Sequence, residues 1–262
     1  MKHPLGNLSA FFYVTLAGLL LITSCKKDYS AEDVVIPPEV KDHNLVLNFR
    51  AVVDTNLLEF GDTYRNNFKE NYSVNTFKFY IHGIELINTD SNKTVQVAAG
   101  QYFLVDFKDP STTRLELTVF PYKYNRITFT IGVDSIRNVS GAQTGALDPA
   151  KGMFWTWSTG YIMAKLEGNF GATAFEYHIG GFSGTNNVLK KPILLFPFAQ
   201  NLDMKPEKTS ELVISANANS WFYNPHEIRL SVNPVCTTPG ILAKQISENY
   251  SKMFTVDSVS ND

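Results

Sequence analysis

The chain has 262 residues, a formal charge of −2 at pH 7 and a pI of about 6.2. This balance provides no basic surface, so nucleic acid is excluded as an expected partner. Hydrophobic residues make up 44% of the chain, which is enough for a sizeable core. Aromatic residues reach 13% against 18% charged. Because aromatic side chains suit the half-buried face of a pleated sheet, the composition favours a β protein.

The N-terminus is typical of a lipoprotein signal peptide. Lys2 and His3 precede the apolar run 11–22, which is shorter than the roughly 20 residues that a membrane-spanning helix needs. The sequence Ile-Thr-Ser-Cys then ends at Cys25, in the pattern of a lipobox. We therefore expect residues 1–24 to be the signal peptide, residues 25–43 to form a lipidated tether and residues 44–262 to form the folded domain.

Lipidation of Cys25 predicts the location of the protein. Acyl chains anchor a protein to a bilayer without crossing it. The residues after Cys25, Lys26-Lys27-Asp28, do not resemble an inner-membrane retention signal. We expect an outer-membrane lipoprotein that faces the periplasm or the cell exterior. Cys236 is then the one remaining cysteine, either buried or a soft metal ligand.

Period-two alternation of apolar and polar residues predicts a series of strands. Leu45, Leu47 and Phe49 alternate with polar residues in the first of them. Further strands are predicted at 76–88, 94–98, 101–107, 114–120, 126–133, 161–170, 174–179, 192–198 and 211–216, with loops at 54–73 and 138–152. Residues 240–254 have helical spacing. This pattern predicts an all-β fold, an immunoglobulin-like β-sandwich of roughly 8–10 strands with a short C-terminal helix.

Sequence motifs for catalysis are missing. The sequence contains no G-x-S-x-G, no P-loop, no dinucleotide-binding fingerprint and no H-E-x-x-H. Its carboxylates are scattered, and the sequence pairs no two of them for acid–base chemistry. We therefore expect a protein that is not an enzyme.

Two sets of residues suggest a metal site, and each has a structural alternative. Met153, Trp155 and Trp157 share one face if the segment is extended, either as a core strand or as the lining of a soft-metal site. His82 and His178 each lie within a predicted strand, where a lone histidine is more often structural. If the fold brought the two together, they could hold Cu(I).

The chain resembles the MbnP-like copper-binding domain family, in the lipoprotein version found in Bacteroidetes-type bacteria. The resemblance rests on Phe-Tyr-Ile at 79–81, Leu-Val-Asp-Phe at 104–107, Gly-Val-Asp at 132–134, Met-Phe-Trp-Thr-Trp-Ser-Thr-Gly-Tyr at 153–161 and His-Ile-Gly at 178–180. The segment 153–161 is the most specific of these, and the order and rough spacing match from about residue 44 to residue 200.

The resemblance implies a β-sandwich that binds copper. It also implies that in some members histidines act with a tryptophan oxidised to kynurenine by a di-haem cytochrome c peroxidase partner. His178 matches the histidine motif of the family, and Trp155 with Trp157 matches its paired tryptophans. The chain departs from the family at 101–102, where it has Gln-Tyr in place of a tryptophan, and at Asn138, which no histidine follows. It also lacks the cysteine pair of the family.

Three functions follow as hypotheses. The first is a lipid-anchored protein that captures or carries copper through His178, His82 and Met153, with Trp155 and Trp157 lining the site. The second is a structural or adhesion-type sandwich without metal. The third is a carbohydrate-binding accessory lipoprotein whose tryptophans stack on sugars. Buried tryptophans would belong to the core, whereas two histidines within about 5 Å of each other would favour copper.

Overall fold

A computed structural model of the protein describes residues 43–155, 160–205 and 208–261. Within these ranges the chain forms 17 strands, two α-helices and six short 3-10 helices. The strands are β1 His43–Val53, β2 Asn56–Leu57, β3 Tyr64–Arg65, β4 Asn71–Asn88, β5 Lys93–Asp106, β6 Arg114–Val119, β7 Lys123–Tyr124, β8 Arg126–Ile131, β9 Phe154–Trp155, β10 Gly160–Tyr161, β11 Ala164–Phe170, β12 Thr173–Ile179, β13 Ile193–Leu195, β14 Leu202–Asp203, β15 Thr209–Asn217, β16 Val235–Cys236 and β17 Phe254–Ser260. The α-helices are α1 Ser135–Val139 and α2 Ile241–Tyr250.

Two main sheets form the domain. The smaller has five strands, in the order β17-β15-β1-β2, with β6 also pairing with β1. The larger has eight, in the order β13-β8-β4-β11-β12-β16, with β3 and β5 also on β4. Most neighbours are antiparallel, but β1 and β15 run parallel, as do β12 and β16. The predicted all-β sandwich is thus confirmed.

Aromatic side chains join the two sheets. Phe49 of β1 lies edge-on to Phe79 of β4 and to Phe129 of β8, with ring centroids 6.0 and 6.1 Å apart. Phe254 of β17 contacts the same two rings at 5.2 and 5.0 Å. Because each edge-to-face pair adds about 0.5–1.5 kcal/mol to the burial of its rings, this cluster holds the sheets face to face.

The largest local differences from the predicted elements lie at α1, α2 and β17. The predicted helix 240–254 ends at Tyr250, because Met253 and Phe254 turn back into the core to begin strand β17. The helix is therefore followed by an edge strand that pairs with β15. Within the predicted loop 138–152 and just before it, α1 forms because Asp134 caps its first turn by accepting a hydrogen bond from the Arg137 amide.

Strand β11 approaches β4 very closely at Gly168. The register between the two strands shifts at Glu167/Gly168, and a Cβ atom at residue 168 would lie 1.8 Å from the carbonyl oxygen of Ser73. That contact involves backbone, which cannot rotate away as a side chain can. Glycine is therefore required at this position for the two strands to pair.

We expect Gly168→Ala to lower the free energy of unfolding by about 3 kcal/mol, because the added methyl group forces apart two paired strands. Urea unfolding followed by tryptophan fluorescence measures the change. Gly240→Ala is the matched control, since a Cβ atom there has no neighbour within 4 Å and the backbone is extended. Equal stability of the two variants would contradict this account of the β4–β11 contact.

Candidate functional site

A row of charged side chains crosses the outer face of the eight-stranded sheet, the face opposite the aromatic core. Lys78 on β4, Lys165 on β11 and His178 on β12 are in register with one another. Asp106 on β5 completes the row through an ion pair of 2.7 Å between its Oδ2 and Lys78 Nζ. Since Phe77 and Phe79 point inward to the core, strand alternation places Lys78 outward.

His178 interacts with a carboxylate in this row. Its Nε2 lies 2.6 Å from Glu167 Oε1, and Lys165 Nζ lies 3.7 Å from the same oxygen. The hydrogen bond from His178 lowers the pKa of Glu167 to about 2, although partial burial of the carboxyl opposes the shift. A histidine whose Nε2–H faces a carboxylate keeps Nδ1 as its remaining ring acceptor.

His82 lies further along β4 in a different setting. Its Nδ1 is 3.0 Å from the carbonyl oxygen of Gly132, and its ring stacks on Tyr102 at a centroid distance of 4.9 Å. Burial lowers the pKa of His82 below its usual value, against the raising effects of the Gly132 hydrogen bond and of Asp134. The neutral ring then donates through Nδ1 and keeps a lone pair on Nε2, to which no described residue is hydrogen-bonded.

The fold does not bring His82 and His178 together. His178 is in register with Lys78 two strands away, and His82 is four residues further along β4. With strands about 4.8 Å apart and a rise of about 3.3 Å per residue, the two residues are separated by about 16 Å. They share the outer face of the sheet, but one metal ion cannot bind both.

Met153 and Trp155 belong to the core. Met153 is fully buried and Trp155 is 6% exposed. The Trp155 ring covers Gly180, where a Cβ atom would lie 2.3 Å from two ring carbons. Trp221 is also fully buried, so neither Trp155 nor Trp221 offers a surface for stacking on a sugar. Trp157 lies outside the described residues.

Of the two cysteines, the structure describes Cys236 but not Cys25. Cys236 is buried on β16, and burial raises the pKa of its thiol to about 11. The thiolate that binds soft metals is therefore disfavoured at neutral pH. Cys25 and the rest of the predicted signal peptide and tether, through residue 42, lie outside the described residues.

No cluster of three or more His, Cys, Asp or Glu side chains suitable for a metal ion occurs in residues 43–155, 160–205 and 208–261. None of the helices within the same ranges has the length and apolar character required to cross a bilayer.

The residues that contact the two histidines could not be identified from sequence patterns. Gly132 and Tyr102 enclose His82, and the Tyr102 hydroxyl donates to Asp134, which also caps α1. Glu167 is the partner of His178. All of these contacts connect different strands, so no local periodicity reveals them. In the sequence, Asp134 stood out only within the Gly-Val-Asp motif of the family resemblance, and Tyr102 only where the chain departs from the family.

Comparison with protein-family models identifies one family. The MbnP family model matches residues 42–238, which is most of the chain. Among solved structures, MbnP from Methylosinus trichosporium is similar, with 14% sequence identity, a TM-score of 0.49, and coverage of 77% of this chain and 82% of that one. No curated protein sequence matches.

The Glu167–His178 pair generates a prediction about stability and pH. The pKa of Glu167 is lower in the folded protein than the ordinary value of 4.5, so its contribution to stability is present above pH 4.5 and is lost as the pH falls through about 2. We expect Glu167→Gln to lower the free energy of unfolding by about 1 kcal/mol at pH 7, and by less near pH 2.

Denaturant unfolding at several pH values measures this difference. Glu116→Gln is the control, because that carboxylate is largely exposed and pairs with Arg114 only at 3.5 Å. If Glu116→Gln and Glu167→Gln lost stability equally, the Glu167–His178 contact would not have the assigned role.

Proposed function

Because this chain belongs to the MbnP family, which is associated with copper, we propose that it is a lipid-anchored extracytoplasmic protein that captures or carries copper and catalyses no reaction of its own. The observation that carries the proposal is the family match across residues 42–238. This range contains every described strand of both sheets except β17, and it includes both candidate histidines. Copper is here the cargo of the protein.

His82 is the residue best prepared to bind the metal. Metal-binding histidines usually donate their second ring N–H to a carbonyl or carboxylate, which fixes the tautomer and orients the ring. For His82, the Gly132 carbonyl accepts this hydrogen bond from Nδ1, and stacking on Tyr102 restrains the ring plane. The lowered pKa of His82 keeps the imidazole neutral, which is the form that binds copper.

His178 and Met153 have lesser parts in this proposal. His178 has the same arrangement, with a carboxylate on Nε2, but about 16 Å separates it from His82, so it would bind at a separate and weaker site. The Met153 thioether suits Cu(I) chemically, but it is fully buried and would have to leave the core to reach a metal. We therefore assign the principal site to His82.

The anchor and the protein partner complete the proposal. Cys25 would carry the lipid that holds the protein at the outer membrane. A di-haem cytochrome c peroxidase would be the protein partner. Because this chain has Gln-Tyr at 101–102, where the family has a tryptophan, any oxidation here would have to occur at Trp155 or Trp157 instead. Metabolic labelling with a fatty acid, compared between wild type and Cys25→Ala, tests the anchor. The mass of the tryptic peptide with Trp155 and Trp157 tests the oxidation.

Copper content of the full-length protein, purified in detergent from its native host, tests the main proposal. We expect near-stoichiometric copper in the wild type after incubation with Cu(I) under reducing conditions. His82→Ala should lose about tenfold or more in Cu(I) affinity because it removes the oriented imidazole. Competition with a Cu(I) chelator measures the affinity.

His226→Ala is the matched control for this experiment, because His226 is another partly buried histidine with a carboxylate partner, Glu248, at 2.5 Å. Its copper affinity should equal that of the wild type, and His178→Ala should change it little. Thermal unfolding of each variant separates loss of a ligand from loss of fold. A wild type without copper would refute the proposal and favour the structural or adhesion function.

The pH dependence of copper binding provides a second test of His82. Protons compete with copper for the imidazole, and an ordinary histidine begins to lose metal as the pH falls through about 6.5. Because the pKa of His82 lies below this value, we expect the Cu(I) affinity to stay constant through pH 6.5 and to decline only at lower pH. A decline that begins above pH 6.5 would contradict His82 as the ligand.

A further inference from the structure

One end of the sandwich, which we call the linker end, is where the chain leaves the domain toward its N-terminus. β1 begins there at His43, opposite Val119 at the end of β6. Asn44 is in register with Thr209, the first residue of β15. The short β7–β14 pair and the end of β17 lie at the same end, since Asn261 hydrogen-bonds to Asn201 and Asp203. Among the described residues, the linker end is thus formed by the segments 88–93, 119–126, 195–205, 208–209 and 258–261.

Large apolar side chains are exposed at the linker end. Phe198 is 94% exposed and has a positive φ of 52°, a conformation that non-glycine residues rarely adopt. Leu195, on edge strand β13 and opposite Arg126, is 62% exposed, and Phe120 is 39% exposed. An exposed phenylalanine contributes no apolar burial energy to the fold. Several exposed apolar residues at one end of the domain therefore indicate a surface that contacts another apolar phase.

Lysines accompany these apolar residues. Lys123, Lys205 and Lys208 are exposed at the linker end, and Lys93 Nζ lies over the rings of Phe120 and Tyr122, at 4.4 and 4.1 Å from their centroids. The described acidic residues at this end are Asp90, which is exposed, and Asp203, which lies 3.8 Å from Lys205. Among the described residues, the linker end therefore combines exposed aromatic and aliphatic groups with more lysines than acidic residues.

We infer that the linker end docks onto the surface of a bilayer that contains anionic lipids, with Phe198 inserted at the headgroup boundary. The inference rests on the proposed lipid anchor at Cys25. Interfacial anchors place apolar side chains about 5–10 Å into the boundary region, and nearby lysines add attraction to anionic headgroups.

The anchor alone does not impose this orientation. The 17 residues from 26 to 42 have a maximum span of about 60 Å, and this length alone selects no orientation of the domain above the bilayer. However, the tether begins its path from the domain at His43, in the linker end itself. It therefore holds the apolar group near the membrane at high effective concentration, so contacts that bind only weakly without the anchor suffice for docking.

Helix α1 offers a matched control. Ile136 and Val139 are each 74% exposed, and Arg137 lies between them in the chain. They follow the C-terminal end of β8, whereas Arg126 at the N-terminal end of β8 lies at the linker end. The pair thus has comparable apolar exposure but a different position relative to the tether.

The experiment uses the full lipidated chain reconstituted into vesicles of phosphatidylethanolamine and phosphatidylglycerol. A nitroxide is attached at Phe198→Cys or, in parallel, at Leu195→Cys, with Ile136→Cys as the control. Cys236 is buried, and unsubstituted protein provides the labelling blank. Electron paramagnetic resonance then compares collisions of each label with oxygen, which concentrates in lipid, and with a water-soluble nickel complex.

We expect the ratio of oxygen to nickel collisions to be several-fold higher at residues 198 and 195 than at residue 136. The difference should shrink when Lys123→Glu and Lys208→Glu are combined, or when phosphatidylcholine replaces the anionic lipid. Equal ratios at all three positions in the anionic vesicles would overturn the inference, because the linker end would then face water.

A separate measurement distinguishes failure of docking from failure of the anchor. Intact mass shows whether Cys25 carries lipid before the vesicles are made, and copper content is determined on the same preparation. If the chain is not lipidated, its co-sedimentation with the anionic vesicles tests the linker end directly. Binding that is lost in Phe198→Ser but kept in Ile136→Ser supports docking, and absence of binding overturns it.

Discussion

Strand β4 is the element on which the rest of the structure depends. Along its 18 residues it pairs with β5 over Lys78–Asn88, with β11 over its first half and with β8 over its second half. Since a strand has two edges and β5 occupies one, β11 and β8 must share the other, end to end. They meet at Tyr80, whose amide donates to the Met163 carbonyl and whose carbonyl accepts from Gly132.

The alternation of β4 determines which side chains can act together. Phe77 and Phe79 enter the core between the sheets, while strand alternation directs Lys78, Tyr80 and His82 to the opposite face, where Tyr80 is itself fully buried against Tyr161. Lys78 therefore joins the charged row that includes His178, and His82 reaches the junction at Gly132. Both histidines lie on the same face, yet the pairing register places them too far apart for one ion. Register, not the choice of face, thus decides whether a two-histidine site can form.

The sequence predicted what depends on local periodicity and missed what depends on register. The alternation in 44–53 and 76–88 correctly indicated β1 and β4, because each strand has one face in the core. The i, i+2 spacing of Met153 and Trp155 fits their shared burial, although Met153 lies just before the two-residue strand β9.

Other features could not be predicted from local sequence. Helix α1 depends on the cap at Asp134, and β17 forms because Phe254 packs against Phe49, more than 200 residues earlier in the chain. For the candidate site, the histidines themselves were visible in the sequence. The Gly132 carbonyl, the Tyr102 ring and the Glu167 carboxylate, which determine the state of those histidines, come from other strands and were not.

The geometry of β4 also connects the two proposals. Asn88, at the C-terminal end of β4, hydrogen-bonds to the Lys123 carbonyl and so belongs to the linker end. His82 lies six residues earlier on the same strand, about 20 Å away at the usual rise. If the linker end rests on the bilayer, the candidate copper ligand lies beyond the headgroups and faces water. A protein docked in this way would keep its copper site facing a soluble partner. A protein that tumbles freely on its anchor would expose the same site to that partner only part of the time.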